Sequence, residues 1–280
     1  MEEPSIEKSM QPSLDAVEEA VRRALSHTVR RPLVVGLCGA QGSGKSTLAA
    51  ALANRLERAG IATAILSIDD LYRTRSEREE LARRVHPLFI TRGVPGTHDI
   101  ALGLHVIEAL EQGRDVALPR FDKAHDDRAP PAVWGKAGAA TQVLLLEGWC
   151  IGARPQDETE LASPINRLER DEDPQGLWRG HANAALAGEY QHLFARIDLL
   201  ILLAAPDFDT VLGWRTEQEH ELRRTVPPEA PGIMSDAALA RFVEHYERLT
   251  RHILTEMPAR ADLVIALDAD RRVRKIMEKS

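Results

Sequence analysis

The sequence has few cysteines, no long hydrophobic run and no excess of positive charge. Its 280 residues contain only two cysteines, Cys38 and Cys150, which excludes a disulfide framework and favours a reducing compartment. No stretch approaches the roughly 18 consecutive apolar residues that predict a membrane-spanning helix. The acidic start, Met1 to Pro4, lacks the apolar core of a secretory signal. We therefore expect a cytoplasmic protein that does not bind a membrane.

The formal net charge of −7 argues against nucleic acid as a general partner. A general nucleic-acid binder presents a basic face to the phosphate backbone, and an acidic chain does not favour one. The overall composition is that of a globular protein with enough residues to bury a substantial core. These exclusions leave a small-molecule partner as the expectation.

The most informative stretch is a glycine-rich sequence from Gly39 to Thr47, which fits the phosphate-binding pattern G-x-x-x-x-G-K-[ST]. It follows a short apolar run, Leu33 to Cys38, of the kind found in buried parallel strands. After it, leucines recur every four residues and mark one helix face. Because a helix start leaves N–H groups unpaired and attracts phosphate oxygens, this order of elements predicts a bound nucleoside triphosphate.

Each part of this phosphate loop has an expected task. We expect Gly39, Gly42 and Gly44 to take positive φ and to let the backbone wrap closely round the anion. Lys45 is expected to contact the β- and γ-phosphates, and the Ser46 hydroxyl is expected to ligate Mg²⁺. The predicted nucleotide-binding residues are Gly39, Ala40, Gln41, Gly42, Ser43, Gly44, Lys45, Ser46 and Thr47.

Apolar runs that alternate with helical patterns along the rest of the chain predict the fold. Helices are expected between the strands, including one that Ser13 caps. The pattern indicates an α/β protein with the three-layer P-loop kinase fold, a mainly parallel doubly wound sheet with helices on both faces. The remaining predicted strands are 61–68, 116–118, 142–146, 199–203 and 262–267.

We expect one kinase domain over residues 1–280. Residues 1–12 precede the first predicted helix, which Ser13 caps, and are expected to be frayed. The polar, proline-containing stretch 152–176 is expected to be an irregular surface insertion, and the proline-rich stretch 225–234 a loop.

Acidic residues follow two of the predicted strands, at the sheet edge where proteins of this class bind ligands. Four apolar residues and then Glu147 fit a Walker-B element with Glu in place of Asp, so Glu147 is expected to hold Mg²⁺, directly or through water. Asp69 is our first candidate for the group that accepts the proton of an acceptor hydroxyl. Alternatively, Asp69 or Asp70 caps the following turn, and Asp69 could also be a metal ligand.

Arg215, Glu219 and Arg223 are spaced four apart and share one face of a predicted helix. As exposed ion pairs they would contribute only about 0.3–0.5 kcal/mol each. As part of a lid, the two arginines would reach the transferring phosphoryl group. Spacing alone does not separate these interpretations.

Taken in order, these motifs resemble the D-glycerate 3-kinases of the plant and fungal type, within the P-loop group of phosphoribulokinase, uridine kinase and pantothenate kinase. The resemblance runs from about Leu33 to Leu267, most of the chain. The segments that carry it are the phosphate loop, Ser67 to Tyr72, Arg92-Gly93, Gly96 to Asp99, Pro119 to Lys123, Asp127-Arg128, Leu146 to Trp149, Trp214-Arg215, Glu219, Arg223 and Met234 to Asp236.

The resemblance implies transfer of the ATP γ-phosphoryl group, with Mg²⁺, to a hydroxyl of D-glycerate to give 3-phosphoglycerate. It implies that Asp69 acts as the base and favours the lid interpretation, so the expected catalytic residues are Lys45, Asp69, Arg215 and Arg223. The expected metal ligands are Ser46, Asp69 and Glu147. A substrate carboxylate needs cationic or N–H donors. The expected acceptor-binding residues are Asp70, Tyr72, Arg92, His98, Arg120, Lys123 and Arg128.

Two other functions stay open. One is the same chemistry on another small alcohol, such as a pantothenate-, nucleoside- or sugar-phosphate-like acceptor. The other is a nucleotide-driven regulator without an acceptor, although the Asn-Lys-x-Asp guanine motif of GTPase switches does not occur. The turn-rich stretches 92–99 and 119–128, expected near the phosphate site, favour an enzyme. The sequence predicts no oligomeric state.

Overall fold

A mainly parallel sheet of six strands forms the centre of the structure, a computed structural model that describes residues 3–28, 32–225 and 234–279. The described strands are β1 (Leu33–Gly39), β2 (Thr63–Ser67), β3 (Val116–Leu118), β4 (Phe121–Asp122), β5 (Asp127–Arg128), β6 (Gly135–Ala137), β7 (Val143–Gly148), β8 (Leu199–Ala204), β9 (Leu263–Leu267) and β10 (Val273–Glu278). The central sheet has the order β10-β9-β8-β1-β7-β2, with only β10 antiparallel to its neighbour. The predicted mainly parallel α/β fold is confirmed.

Helices cover both faces of this sheet. They are α1 (Glu3–His27), α2 (Lys45–Arg58), α3 (Arg75–Arg84), α4 (Ile100–Glu111), α5 (Glu158–Leu161), α6 (Arg167–Glu172), α7 (Leu177–Ala187), α8 (Glu189–Phe194), α9 (Phe208–Thr225) and α10 (Asp236–Glu256). Short 3₁₀ turns occupy Ile68–Leu71, Pro87–Ile90, Pro131–Val133 and Met257–Ala259.

Alternate residues of the central strands build two separate cores. In β7, Leu144 and Leu146 join the core that contains α4 and α8, while Val143 and Leu145 join the core that contains α1 and α2. This follows from the two-residue period of a strand, which sends successive side chains to opposite faces. Both faces are therefore apolar, and polar groups are left to the strand ends.

The N-terminal boundary differs from the expectation of a frayed start. Helix α1 begins at Glu3, so residues 3–12 are helical and Pro12 lies inside the helix. The face of α1 on which Leu14 is buried extends one turn toward the N-terminus, because Met10 packs against the same core. Residues 1–2 lie outside the described ranges, as do residues 226–233 of the loop expected at 225–234.

The stretch 152–176, expected to be an irregular surface insertion, is largely exposed but is not irregular throughout. It contains α5 and α6, and Glu169 of α6 has no exposed surface. Arg248 of α10 donates to both Glu169 carboxylate oxygens, at 2.7 and 2.6 Å. A buried charge requires a partner, and this one comes from a segment some eighty residues away that sequence pattern cannot reveal.

The short strand at 116–118, predicted with the strands of the main sheet, does not belong to that sheet. β3 pairs with β6 in a separate antiparallel sheet of two strands, outside the central sheet. β4 and β5 form a second two-stranded ribbon. The backbone N–H of Phe121 in β4 donates to Asp70 at 3.0 Å, which fastens this ribbon beside the carboxyl end of β2.

The buried pair between Glu169 and Arg248 yields a stability prediction. Arg248→Met leaves the Glu169 carboxylate buried without its cation, so the free energy of unfolding should fall by roughly 3–5 kcal/mol. Arg251→Met is the matched control, because Arg251 lies on the same helix with its side chain 51% exposed and should cost less than about 1 kcal/mol. Urea denaturation measures both. Equal losses would contradict the assigned role of the pair.

Candidate active site

The phosphate loop, residues 39–47, connects the end of β1 to the start of α2. Gly42 and Gly44 have φ of 79° and 84°, in the left-handed region that favours glycine. The expectation of positive φ at Gly39 is wrong. Gly39 is required for space instead, because a Cβ there would lie 2.7 Å from the Ser43 hydroxyl oxygen. All nine predicted nucleotide-binding residues lie in this turn and the first turn of α2.

The start of α2 has the properties of an anion site. Gly44 occupies the N-cap position, and no described side chain caps the helix there. The first N–H groups of the helix therefore face the loop, where the helix dipole also favours negative charge. Lys45, the first residue of α2, adds a full positive charge beside them.

Ser46 and Glu147 meet beside this helix start, as the metal prediction requires. The Ser46 hydroxyl donates to Glu147 Oε1 at 3.1 Å. Glu147 is 5% exposed, and its Oε2 is buried without a hydrogen-bond partner among the described residues. A buried carboxylate oxygen without a donor is costly, and a cation would satisfy it. One carboxylate and one hydroxyl suit Mg²⁺, which takes its other ligands from phosphates and water.

Asp69 lies on the 3₁₀ turn that follows β2, and cations surround its carboxylate. Lys123 donates to Oδ2 at 2.7 Å and the Tyr72 hydroxyl donates to Oδ1 at 2.8 Å. Burial raises the pKa of Asp69, but the charges of Lys123 and Lys45 and these two hydrogen bonds outweigh it and lower the pKa to about 2. Asp69 is therefore ionised at neutral pH, and each of its two carboxylate oxygens accepts a hydrogen bond.

Asp70, by contrast, is engaged with the protein itself. Its Oδ2 accepts a hydrogen bond from Arg120 at 2.6 Å, and its Oδ1 accepts the N–H of Phe121. Neither Asp69 nor Asp70 caps the turn, because Ser67 does so by accepting the N–H of Asp69. This geometry favours Asp70 as an anchor for β4 over the predicted contact with substrate.

Tyr72 and His98, both predicted to bind the acceptor, are buried. Their rings stack at 4.6 Å, and they are 3% and 0% exposed. Burial lowers the pKa of His98 to about 3, so its imidazole is neutral and cannot act as a cation toward a carboxylate. The Tyr190 hydroxyl lies 2.5 Å from His98 Nδ1. The two stacked rings therefore hold Asp69 in position through the hydrogen bond that the Tyr72 hydroxyl donates to it.

The predicted acceptor-binding lysine and arginines each lie beside a carboxylate, and for Lys123 that carboxylate is Asp69 itself. Lys123 pairs with Asp69 and Arg120 with Asp70, as described above. Arg92 pairs with Asp126 and lies 5.6 Å from the centre of the Phe121 ring. Arg128 donates to Asp99 at 3.0 Å. An arginine carries five N–H donors and a lysine three, so each keeps donors for a further carboxylate.

Arg215 and Arg223 are not equivalent. Arg215 follows Trp214, whose backbone and Cβ lie against Gly42 of the phosphate loop, and it donates to Glu219 at 3.0 Å. Glu219 has no exposed surface, so this is not the exposed ion pair of the first interpretation. Arg223, about 12 Å further along the helix, pairs with Asp236 at the start of α10. Of the two arginines, Arg215 is thus the one that adjoins in sequence the residue in contact with the phosphate loop.

Sequence reasoning missed Arg271, in the turn between β9 and β10. Its Nε donates to the Gly42 carbonyl at 2.7 Å, and its guanidinium lies 5.2 Å from the centre of the Trp214 ring. Its φ is 63°, which is uncommon for a residue with a side chain. The available signal was its position just after the last predicted strand, at the edge where ligands bind.

A cavity of about 690 Å³ adjoins the phosphate loop on the side of α9. Its described walls include Gly42 to Gly44, Thr47, Glu217 and Arg271. Asp69 and Glu147 do not line it. None of the described residues that line this cavity belongs to the group of acidic and basic side chains that contains Asp69.

Comparison with known proteins connects this site to a family. The family model described as phosphoribulokinase / uridine kinase matches residues 34–153. The uncharacterized kinase mug58 of Schizosaccharomyces pombe is 38% identical over 227 residues, which cover 77% of this chain and 79% of that protein. The chloroplastic D-glycerate 3-kinase of Arabidopsis thaliana is 28% identical over 263 residues, which cover 88% of this chain and 54% of that protein.

A solved structure shares the fold. D-glycerate 3-kinase from Cryptococcus neoformans superimposes with a TM-score of 0.78 and 23% identity, over 95% of this chain and 99% of that one. At that identity the likeness shows the fold alone. None of the described helices combines the length and the hydropathy that crossing a bilayer requires.

Glu147→Gln tests the metal assignment. Removing the buried charge should weaken binding of an ATP analogue about tenfold when Mg²⁺ is present. Binding in EDTA should change less than about twofold, because the phosphate loop is intact. Calorimetric titration measures both constants, and Glu57→Gln, an exposed acid at the far end of α2, is the control. Equal weakening with and without Mg²⁺ would refute the metal role.

Proposed function

Because this chain belongs to the phosphoribulokinase / uridine kinase family of P-loop kinases, we propose that it transfers the γ-phosphoryl group of ATP to a hydroxyl of D-glycerate, giving 3-phosphoglycerate. The observation that carries the choice of acceptor is the 28% identity to a D-glycerate 3-kinase over 88% of this chain. The cations that contact Asp69, Asp70, Tyr72 or Phe121, namely Lys123, Arg120, Arg128 and Arg92, support an acceptor that has a carboxylate.

In this proposal the phosphate loop and Lys45 hold the β- and γ-phosphates, and Arg215 approaches from α9. Ser46 and Glu147 would hold Mg²⁺, which when bound neutralises charge on the phosphates. The uncapped N–H groups of α2 and the unpartnered Glu147 Oε2 support these assignments. The protein then contributes positioning and charge stabilisation, which phosphoryl transfer chiefly demands.

The transfer itself places few covalent demands on the chain. The acceptor oxygen forms a bond to the γ-phosphorus while the bond from that phosphorus to the β,γ-bridging oxygen breaks, and ADP leaves with the electron pair. Asp69 accepts a hydrogen bond from the attacking hydroxyl and takes its proton as the new bond forms. Because the transition state is loose, the proton leaves late, and a carboxylate of low pKa still serves to orient the hydroxyl.

Lys123 links acceptor binding to the basicity of Asp69. In the free protein its ammonium lies 2.7 Å from Asp69 Oδ2 and lowers the pKa of that carboxyl. Lys123 is 59% exposed, so it has room to turn toward the carboxylate of a bound acceptor. When Lys123 shares its charge with a bound acceptor or leaves Asp69, the pKa of Asp69 rises.

An assay of ADP release across acceptors tests the proposed function. D-Glycerate should give kcat/KM at least about 100-fold above L-glycerate, uridine, pantothenate and ribulose phosphate, and phosphorus NMR should identify 3-phosphoglycerate. Lys45→Ala should abolish the release. Preference for another alcohol would overturn the choice of acceptor, and ADP release unaffected by any acceptor would favour a nucleotide-driven regulator.

Lys123→Ala gives a pH-dependence prediction. Removing the ammonium raises the pKa of free Asp69, so the acid limb of kcat/KM, which reports the free enzyme, should move to higher pH. In the wild type, kcat/KM should stay constant as the pH falls, until the pH nears the Asp69 pKa of about 2 or the protein unfolds. His125→Ala is the control, because His125 is 82% exposed in the same turn and contacts Asp122 instead. An unshifted limb in Lys123→Ala would contradict the coupling.

A further inference from the structure

One carboxylate in the turn between β4 and β5 serves two arginines. Asp126 pairs with the Arg78 guanidinium at 3.0 Å through one oxygen and with the Arg92 guanidinium through the other. We call Arg78, Arg92 and Asp126 the Asp126 cluster. Among the described residues, neither arginine has a second carboxylate within ion-pair distance. With two positive charges and one negative charge, the cluster carries a formal net charge of +1.

The other three cations that support a carboxylate acceptor are balanced instead. Each has a carboxylate of its own, in the pairs Lys123 with Asp69, Arg120 with Asp70, and Arg128 with Asp99. An anion that approaches such a pair is attracted by the cation and repelled by the carboxylate already in place. The Asp126 cluster differs because it has positive charge left for an added anion.

The charge of Arg78 is fixed in the cluster. Its side chain is 1% exposed, and it donates to the carbonyls of Arg73, Ile90 and Asp126 at 3.3, 2.7 and 2.6 Å. Carbonyl groups satisfy the N–H donors of a guanidinium without cancelling its charge, and an arginine stays protonated in proteins. The Asp126 backbone is left-handed, with φ of 54°, and both its carbonyl and its carboxylate contact Arg78 Nη2. Arg78 therefore holds Asp126 in place.

Arg92 is the cation of the cluster that a ligand can reach. Its side chain is 26% exposed, and its guanidinium lies 5.6 Å from the centre of the Phe121 ring. Phe121 packs edge-on against Tyr72 at 5.1 Å, and the Tyr72 hydroxyl donates to Asp69, the proposed base. One pair of aromatic rings thus connects Arg92 to Asp69. The donors of Arg92 that Asp126 does not engage can bind a further carboxylate.

From this charge balance we propose that Arg92 binds the carboxylate of the acceptor and that Arg78 and Asp126 are its positioning residues. The assignment rests on the proposed function and selects one cation from four. Asp126 holds the Arg92 guanidinium beside Phe121, while the buried charge of Arg78 occupies part of the Asp126 carboxylate. Without Arg78, Asp126 would balance Arg92 alone, as Asp70 balances Arg120.

Two substrates that differ in charge test the assignment. D-Glyceramide has the hydroxyls of D-glycerate but a neutral amide in place of the carboxylate. Arg92→Met should lower the ratio of kcat/KM for D-glycerate to kcat/KM for D-glyceramide at least about tenfold, with KM for ATP changed less than about twofold. Arg120→Met removes a balanced, more exposed cation and is the matched control, in which the ratio should fall less than about threefold.

Variants of Arg78 test the charge balance itself. Arg78→Met leaves Arg92 and Asp126 as a balanced pair, so the ratio should fall at least about fivefold although Arg92 is intact. Arg78→Lys keeps the buried charge and should keep the ratio within about twofold of wild type. Circular dichroism checks that each variant folds, and Arg92→Met decides the assignment where Arg78→Met does not fold. An unchanged ratio in Arg92→Met, an equal loss in Arg120→Met, or equal ratios in the two Arg78 variants would each overturn the proposal.

A binding measurement separates this proposal from the proposed function. The Nε–H signal of Arg92, identified in ¹⁵N NMR spectra by its absence in Arg92→Met, should shift on titration with sodium acetate. The shift should be smaller with sodium chloride at the same ionic strength, because chloride cannot form a bidentate pair. A wild type that does not phosphorylate D-glycerate would refute the proposed acceptor, while an acetate-dependent shift would still support the anion site. Phosphorylation of D-glycerate without that shift would refute the anion site alone.

Discussion

Parallel pairing of β7 between β1 and β2 brings the candidate site together. Glu147 lies opposite Leu37 of β1 and Ser67 of β2. Its neighbours along the sheet edge are therefore the phosphate loop that leaves β1 and the turn with Asp69 that leaves β2. A shift of one residue in β7 would turn Glu147 from its position at the edge to the opposite face of the sheet. The register of these three strands thus determines the distance between the predicted metal ligand and the predicted base.

Charge balance is the second constraint on the site. Its carboxylates are buried or half-buried and each meets a donor, as Asp69 meets Lys123 and Tyr72, and Asp70 meets Arg120. Such pairs hold the loop around Phe121 on the sheet edge while they keep the cations close to Asp69. Glu147 Oε2 differs, because it has no donor among the described residues. That difference singles out Glu147 Oε2 as a carboxylate oxygen whose missing partner an added cation would supply.

Local pattern was sufficient to predict the five parallel strands of the central sheet, the phosphate loop and the acidic strand ends, but it did not predict the antiparallel edge strand β10. Each of these depends on neighbours in sequence: the two-residue period, the glycine turn, the carboxylate after an apolar run. What could not be predicted depends on distant partners. The burial of Glu169 requires Arg248, the link from Arg271 reaches Gly42, and the neutrality of His98 follows from its position under Tyr72. Asp69 and Asp70 are adjacent and identical, so only the fold distinguishes the group beside Lys123 from the anchor of β4.

The account depends on a triphosphate in the phosphate loop with an alcohol acceptor held at Asp69. A crystal structure with Mg²⁺, a nonhydrolysable ATP analogue and D-glycerate would test this most directly. We expect the terminal phosphate beside Lys45 and a glycerate hydroxyl hydrogen-bonded to Asp69, about 3–3.5 Å from the γ-phosphorus. A nucleotide bound outside the loop, or a glycerate hydroxyl remote from Asp69, would contradict the account.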